Sequence, residues 1–112
     1  FGWNGTAYGG SNPAGNSGAG AIMVNASETH SITSKGSYID FQTTANGTAT
    51  RATKVRIGNS GNVGIGTTAP TSKLQVVGLP VYTNNQAAIN GGLTAGAFYR
   101  TDGDPALLAV VY

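Results

Sequence analysis

Apolar residues fall along this chain in short runs separated by glycine, asparagine and threonine, a spacing that predicts strands joined by turns. Gly20-Ala21-Ile22-Met23-Val24-Asn25-Ala26 is a brief apolar run bounded by turn formers, as expected of a buried strand, and Ser31 to Lys35 reads as a second strand. Tyr38-Ile39-Asp40-Phe41-Gln42-Thr43 alternates in part. Asn46-Gly47 then supplies a hairpin signal, because both positions tolerate positive φ. The return strand would run from Ala49 to Ile57. With a period of two, Ala52 and Lys54 face one way and Arg51, Thr53, Val55 and Ile57 the other, which puts Val55 and Ile57 on the buried face.

Over Gly58 to Gly66 the pattern becomes G-N-S-G-N-V-G-I-G, with Val63 and Ile65 alternating with glycines. Alternating glycine strips side chains from one face and lets a second backbone approach closely, as a tightly wound three-chain junction requires. Leu74-Gln75-Val76-Val77 predicts another short strand, closed by Gly78. From Leu79 the texture shifts to a short helix at Asn84 to Asn90 with Gly91-Gly92 as its stop. Leu93 to Thr101 and Ala106 to Tyr112 read as strands around an Asp102-Gly103-Asp104-Pro105 turn. Upstream, residues 1 to 20 carry so many turn formers that loops with short extended pieces are expected there. Three segments follow: a glycine-rich, β-rich region over 1–57, an intertwined segment over 58–78, and a C-terminal tip module over 79–112.

Composition sharpens the picture. A chain of 112 residues buries only about two-thirds of its unfolded surface, and 18 glycines leave little to bury. Charged residues are 9%, against roughly 25% in ordinary soluble domains. Disorder is disfavoured, because disordered chains combine low hydrophobicity with high net charge, whereas this one is 39% hydrophobic with a net charge of +2. Association of several copies supplies both a larger core and partners for open strand edges. No run of basic residues marks a nucleic-acid footprint. With no cysteine, disulfides and thiolate metal sites are excluded. No apolar run approaches the roughly 20 residues of a membrane-spanning helix. Phe1 in place of an initiating methionine is expected of a piece of a larger polypeptide.

The segment from Arg56 through Gly58-Asn59-Ser60-Gly61-Asn62-Val63-Gly64-Ile65-Gly66-Thr67-Thr68-Ala69-Pro70 to Leu74-Gln75-Val76-Val77-Gly78 resembles a recurrent stretch of virus and bacteriophage fibre proteins. There a similar string sits near the C-terminal end of a homotrimeric tail fibre. The upstream Gly36 to Thr48 is similar to a stretch that often precedes it, and the Leu79-Pro80-Val81-Tyr82, Tyr99-Arg100-Thr101 and Val110-Val111-Tyr112 elements resemble a terminal module of such fibres. The resemblance implies an all-β, intertwined homotrimeric fibre, a β-prism or triple β-helix-like stem, with a small tip module containing one short helix. It implies a virion location, and adhesion to a host-surface glycan or outer-membrane receptor, with neither nucleic acid nor membrane insertion. Some such chains continue into a self-cleaving chaperone domain; too few residues follow Gly78 here for one, so autoproteolysis is not expected.

Candidate chemistry is sparse. The glycine-rich stretch lacks the G-K-[ST] ending of a phosphate loop and the flanking βαβ unit of a dinucleotide site. Glu28, Asp40, Asp102 and Asp104 are the only acids, too few to favour a polysaccharide depolymerase, and no catalytic residue is assigned. Glu28 and the lone His30 would project to one side of a strand and could pair or meet a ligand. Asp102 and Asp104 could contribute to calcium binding only if other oxygens completed the shell, and a plain turn is the better reading, so neither metal nor cofactor is expected. Asn4-Gly5-Thr6, Asn25-Ala26-Ser27 and Asn46-Gly47-Thr48 fit the glycosylation triplet but read as turns. Phe1, Trp3 and Tyr8 are aromatics for packing against upstream chain or for sugar stacking. Two or three of Tyr82, Phe98, Tyr99 and Tyr112 should be core. Receptor contact is assigned to Tyr82, Asn84, Asn85, Tyr99, Arg100 and Asp102. The alternative is a purely structural trimerisation and capping element, which would bury the tip aromatics.

Overall fold

The structure is a computed structural model that describes residues 20–112; the aromatics Phe1, Trp3 and Tyr8 and the Asn4 triplet lie outside the described residues. The chain divides into two compact units, Phe1–Val77 and Gly78–Tyr112, and among the described residues the regular structure is seven strands and one short helix, in keeping with an all-β reading.

The first unit is one five-stranded sheet of β1 (Gly20–Ala26), β2 (Ser37–Thr44), β3 (Arg51–Ile57), β4 (Val63–Ile65) and β5 (Leu74–Val76), paired in chain order. The first three pairings are antiparallel, and β5 lies parallel to β4. Register decides what each face carries. Val24, Ile39, Ile57, Val63 and Leu74 stand opposite one another across all five strands. A second row, Ile22, Phe41, Val55, Ile65 and Val76, runs beside it. Since residues two apart share a face, these ten side chains form a single apolar surface. The row between them, Met23, Asp40, Arg56, Gly64 and Gln75, lies on the opposite, mostly polar face.

Among the described residues that apolar surface is only partly covered: Ile22, Val24, Phe41, Ile65 and Leu74 are exposed, and the other five side chains are half-buried. Ile22 is 54% exposed and Val24 71%, and the apolar residues buried among the described ones, Ala88, Tyr99 and Val111, all belong to the second unit. The expectation of a buried first strand is therefore corrected: among the described residues Gly20–Ala26 is an edge strand, with Ile22 and Val24 in the open and Ala21 and Met23 half-buried. A second correction concerns Ser31 to Lys35, which forms no strand. The segment 27–36 is instead a loop closed on Gly36, whose carbonyl accepts from Ser27 N–H at 3.0 Å.

The third correction lies in β3. Phe41 pairs with Val55 but Gln42 with Thr53, so Lys54 is an extra, bulged residue. A bulge resets the alternation, and Thr53 turns away from the Val55 and Ile57 face to meet Asp40 and Gln42. The hairpin turn does fall on Asn46-Gly47, with Gly47 at φ 76° and Thr48 N–H bonded to the Ala45 carbonyl, but it sits in a longer loop closed by the Thr44 and Arg51 pair.

Close backbone approach at the alternating glycines is made within this chain. A methyl group on Gly64 would lie 2.5 Å from the Thr67 carbonyl oxygen, and one on Gly66, which has φ 73°, would lie 2.8 Å from that of Val77.

The second unit holds α1 (Asn85–Asn90) and a two-stranded antiparallel ribbon of β6 (Phe98–Arg100) and β7 (Leu108–Val110). Asn84 caps α1 by accepting from Ala87 N–H at 2.9 Å, which satisfies one of the orphan donors of a helix start. Ala88, Tyr99 and Val111 form the core, with Tyr82, Leu93, Ala97 and Ala109 packed against it. The Asp102 to Pro105 stretch is a bend with a cis Asp104-Pro105 peptide.

Candidate functional site

Charged chemistry in the first unit concentrates on the polar face of the sheet. Asp40 on β2 faces Arg56 on β3, and the two carboxylate oxygens take guanidinium Nε and Nη2, each at 2.7 Å. Such a two-pronged contact is the strong form of an ion pair. Thr53 donates its hydroxyl to the same carboxylate at 3.1 Å. Arg56 also donates through Nη1 to the Thr68 carbonyl at 3.2 Å and lies 4.1 Å over the Tyr38 ring, a separation at which ring and cation attract. Asp40 is only 3% exposed. The Arg56 guanidinium beside it, more than the Thr53 hydroxyl, holds its carboxyl below the usual range, while burial acts in the opposite sense. The ion pair reciprocally raises Arg56. These contacts lock two strands and a loop together.

Glu28 and His30 do not pair with each other. Both close on one residue: Glu28 Oε1 accepts from Gly36 N–H, and the Nε2–H tautomer of His30 donates to the Gly36 carbonyl at 3.0 Å. The Ser34 hydroxyl and then the Gly36 N–H pull the exposed Glu28 carboxyl below its ordinary pKa. Their work is to close the loop.

In the second unit the residues assigned to receptor contact separate into two groups. Tyr99 is 4% exposed and turned inward, and Tyr82 packs edge-on against it, 6.2 Å between ring centres at 72°. Asn84 is spent on its cap, and Asn85 clasps the last residue, accepting from Tyr112 N–H at 3.1 Å and donating to its carbonyl at 3.3 Å. Arg100 and Asp102 are exposed. Two open aromatics accompany them: Phe98, 57% exposed, and Tyr112, 89% exposed. Phe98 and Arg100 share the outer face of the ribbon with their cross-strand partners Val110 and Leu108. Alternation along Phe98-Tyr99-Arg100 is the sequence signal that sorts these residues, since it puts Tyr99 opposite to both neighbours.

Among the described residues no three of His, Cys, Asp and Glu gather as a metal site, and no helix is long and apolar enough to cross a membrane. No family model matches the sequence, and comparison with curated proteins gives no match.

Proposed function

We propose that this chain is the distal part of a bacteriophage tail fibre, assembled as a homotrimer and attaching the virion to a host-surface glycan or outer-membrane receptor. The observation that carries this reading is the ten-residue apolar face of the first sheet. Covering an apolar sheet face is favourable, and among the described residues of a single copy five of the ten side chains on that face are exposed. Three copies turning these faces to a common axis bury thirty apolar side chains in a prism, with the Asp40–Arg56 face outward. The number three comes from the resemblance of residues 56–78 to fibre sequences. Weak contacts repeated about the axis then gain by avidity.

A second reading, an assembly and capping element that leaves adhesion to another protein, is favoured by one observation: Tyr82 and Tyr99 are packed together in the tip unit. Under the attachment reading, contact falls to Arg100 and Asp102 with Phe98 and Tyr112. Light scattering on the full chain, followed by heating in detergent, tests assembly, and a monomer would remove both readings. A glycan array then separates them. Binding lost on Arg100→Ala or Tyr112→Ala places adhesion at the tip, whereas a trimer that binds nothing leaves the cap.

A further inference from the structure

The polar face of the first sheet opens into a cleft of about 400 Å³, inside the range of roughly 300–1,000 Å³ over which proteins hold small ligands. Its walls come from four stretches of the chain: Ser27 after β1, Tyr38 from β2, Arg56 of β3 with the Asn59 and Ser60 turn that follows it, and Pro70. We propose that this cleft is a binding site for a neutral hexose unit of a glycan. The proposal rests on the attachment reading for its biological ligand, and on the residues for its chemistry.

Charge sets the first limit. Arg56 is the one charged side chain lining the cleft, and its Nε, Nη1 and Nη2 are all engaged, two on Asp40 and one on the Thr68 carbonyl. Asp40 already neutralises that charge, so although Nη1 and Nη2 each keep one N–H, an acidic ligand gains little net attraction here. Lys73 approaches from outside the lining, where its ammonium donates to the Ser60 carbonyl at 3.3 Å.

Unsatisfied polar groups set the second. Asn59 Nδ2 donates to Ser27 Oγ at 3.2 Å, which leaves Asn59 Oδ1, the second Nδ2 hydrogen and the Ser27 hydroxyl hydrogen for a ligand. Among the described residues the Ser60 hydroxyl makes no hydrogen bond. The lining thus mixes neutral amide and hydroxyl groups on Asn59, Ser60 and Ser27 with ring surface on Pro70 and Tyr38. A hexose has the same mixed character, with hydroxyls at its rim and C–H groups on its ring face. In the proposed prism this cleft lies on the side away from the axis, so assembly leaves it open.

Titration of the isotope-labelled full chain with glucose, galactose and N-acetylglucosamine, and with glucuronic acid as the charged control, tests the assignment by amide chemical shifts. At least one neutral sugar should shift Asn59, Ser60 and Tyr38, and Asn59→Ala and Ser60→Ala, both on an exposed turn, should each weaken that sugar about fivefold, the loss of one neutral hydrogen bond. No shift at these residues with any neutral hexose, shifts only in the tip, or tighter binding of glucuronic acid would each overturn the proposal. A glycan array on the same variants separates this outcome from failure of attachment itself. Unchanged array binding in Asn59→Ala keeps attachment and removes the cleft. An array blank for the wild type removes attachment, while the hexose titration still judges the cleft.

Discussion

Val24→Asp is the sharpest perturbation of the proposed assembly, because Val24 is 71% exposed in the single chain and the substitution takes little from the fold of one copy. A buried valine is stabilised by about 2 kcal/mol over an exposed one, so covering the open part contributes about 1.5 kcal/mol per chain and ~4 kcal/mol over three copies. At 1.4 kcal/mol per tenfold, that apolar part alone weakens association by about a thousandfold. Three carboxylates turned to one axis add a desolvation penalty of several kcal/mol per ion. Analytical ultracentrifugation across a concentration series should show the wild type as trimer and Val24→Asp as monomer with an unchanged far-ultraviolet circular dichroism spectrum. Val24→Thr, which keeps the β-branch, should fall between them. A trimer undiminished by Val24→Asp would refute the argument that this face is the contact.

Asp40→Asn should destabilise by about 2–3 kcal/mol at neutral pH, below the 3–5 of a fully buried pair because the Arg56 side chain is 22% exposed. Because the Asp40 carboxyl is held below its ordinary value, its contribution is full above the unfolded value of about 3.9 and is lost as pH falls through the folded one. Urea midpoints of wild type and variant should therefore converge in acid, and a gap as wide in acid as at pH 7 would contradict the assignment. Gly64→Ala should cost about 2 kcal/mol through the clash with the Thr67 carbonyl. Gly47→Ala, at φ 76° with nothing within 4 Å, should cost about 1 kcal/mol through backbone strain alone. Equal thermal shifts of Gly64→Ala and of an exposed strand change such as Ala52→Gly would defeat the packing account. Asn84→Ala should cost about 1 kcal/mol in the tip unit only, read as faster amide exchange at Ala87 and Ala88 with no change in the first sheet.

Much of the fold was legible locally. Strands expected at 20–26, 38–43 and 74–77 follow from short apolar runs between turn formers, and the helix expected at 84–90 ends at Gly91-Gly92 as its stop signal indicates. What the residues could not disclose was register. A two-residue turn on Asn46-Gly47 would pair Ala45 with Thr48 and put Asp40 opposite Thr53. The longer loop and the bulge at Lys54 set Asp40 opposite Arg56 instead, and nothing in the residue types announces an extra residue. The ion pair was hidden for that reason, and so was the cleft beside it, whose walls lie far apart in the chain. Ser31 to Lys35 misled because propensity took no account of the Glu28 and His30 contacts to Gly36, which hold that segment in a loop. In the tip, alternation sets Tyr99 apart from Phe98 and Arg100, but which side faces inward follows only from the packing of β6 and β7.

Each strand of the first sheet has its chain neighbour as its spatial neighbour, from β1 through to β5. No strand waits for a distant one, so loop-closure entropy is small at every step and the sheet can zip up in the order of synthesis. Under the proposed assembly, folding of one copy is a first-order event and trimerisation a later, higher-order one. Refolding traces should separate accordingly, into a fast phase indifferent to protein concentration and a slow phase that accelerates with it. Between the two phases a finished sheet stands with its apolar side in water, and at that stage yield is decided by how many sister chains are nearby.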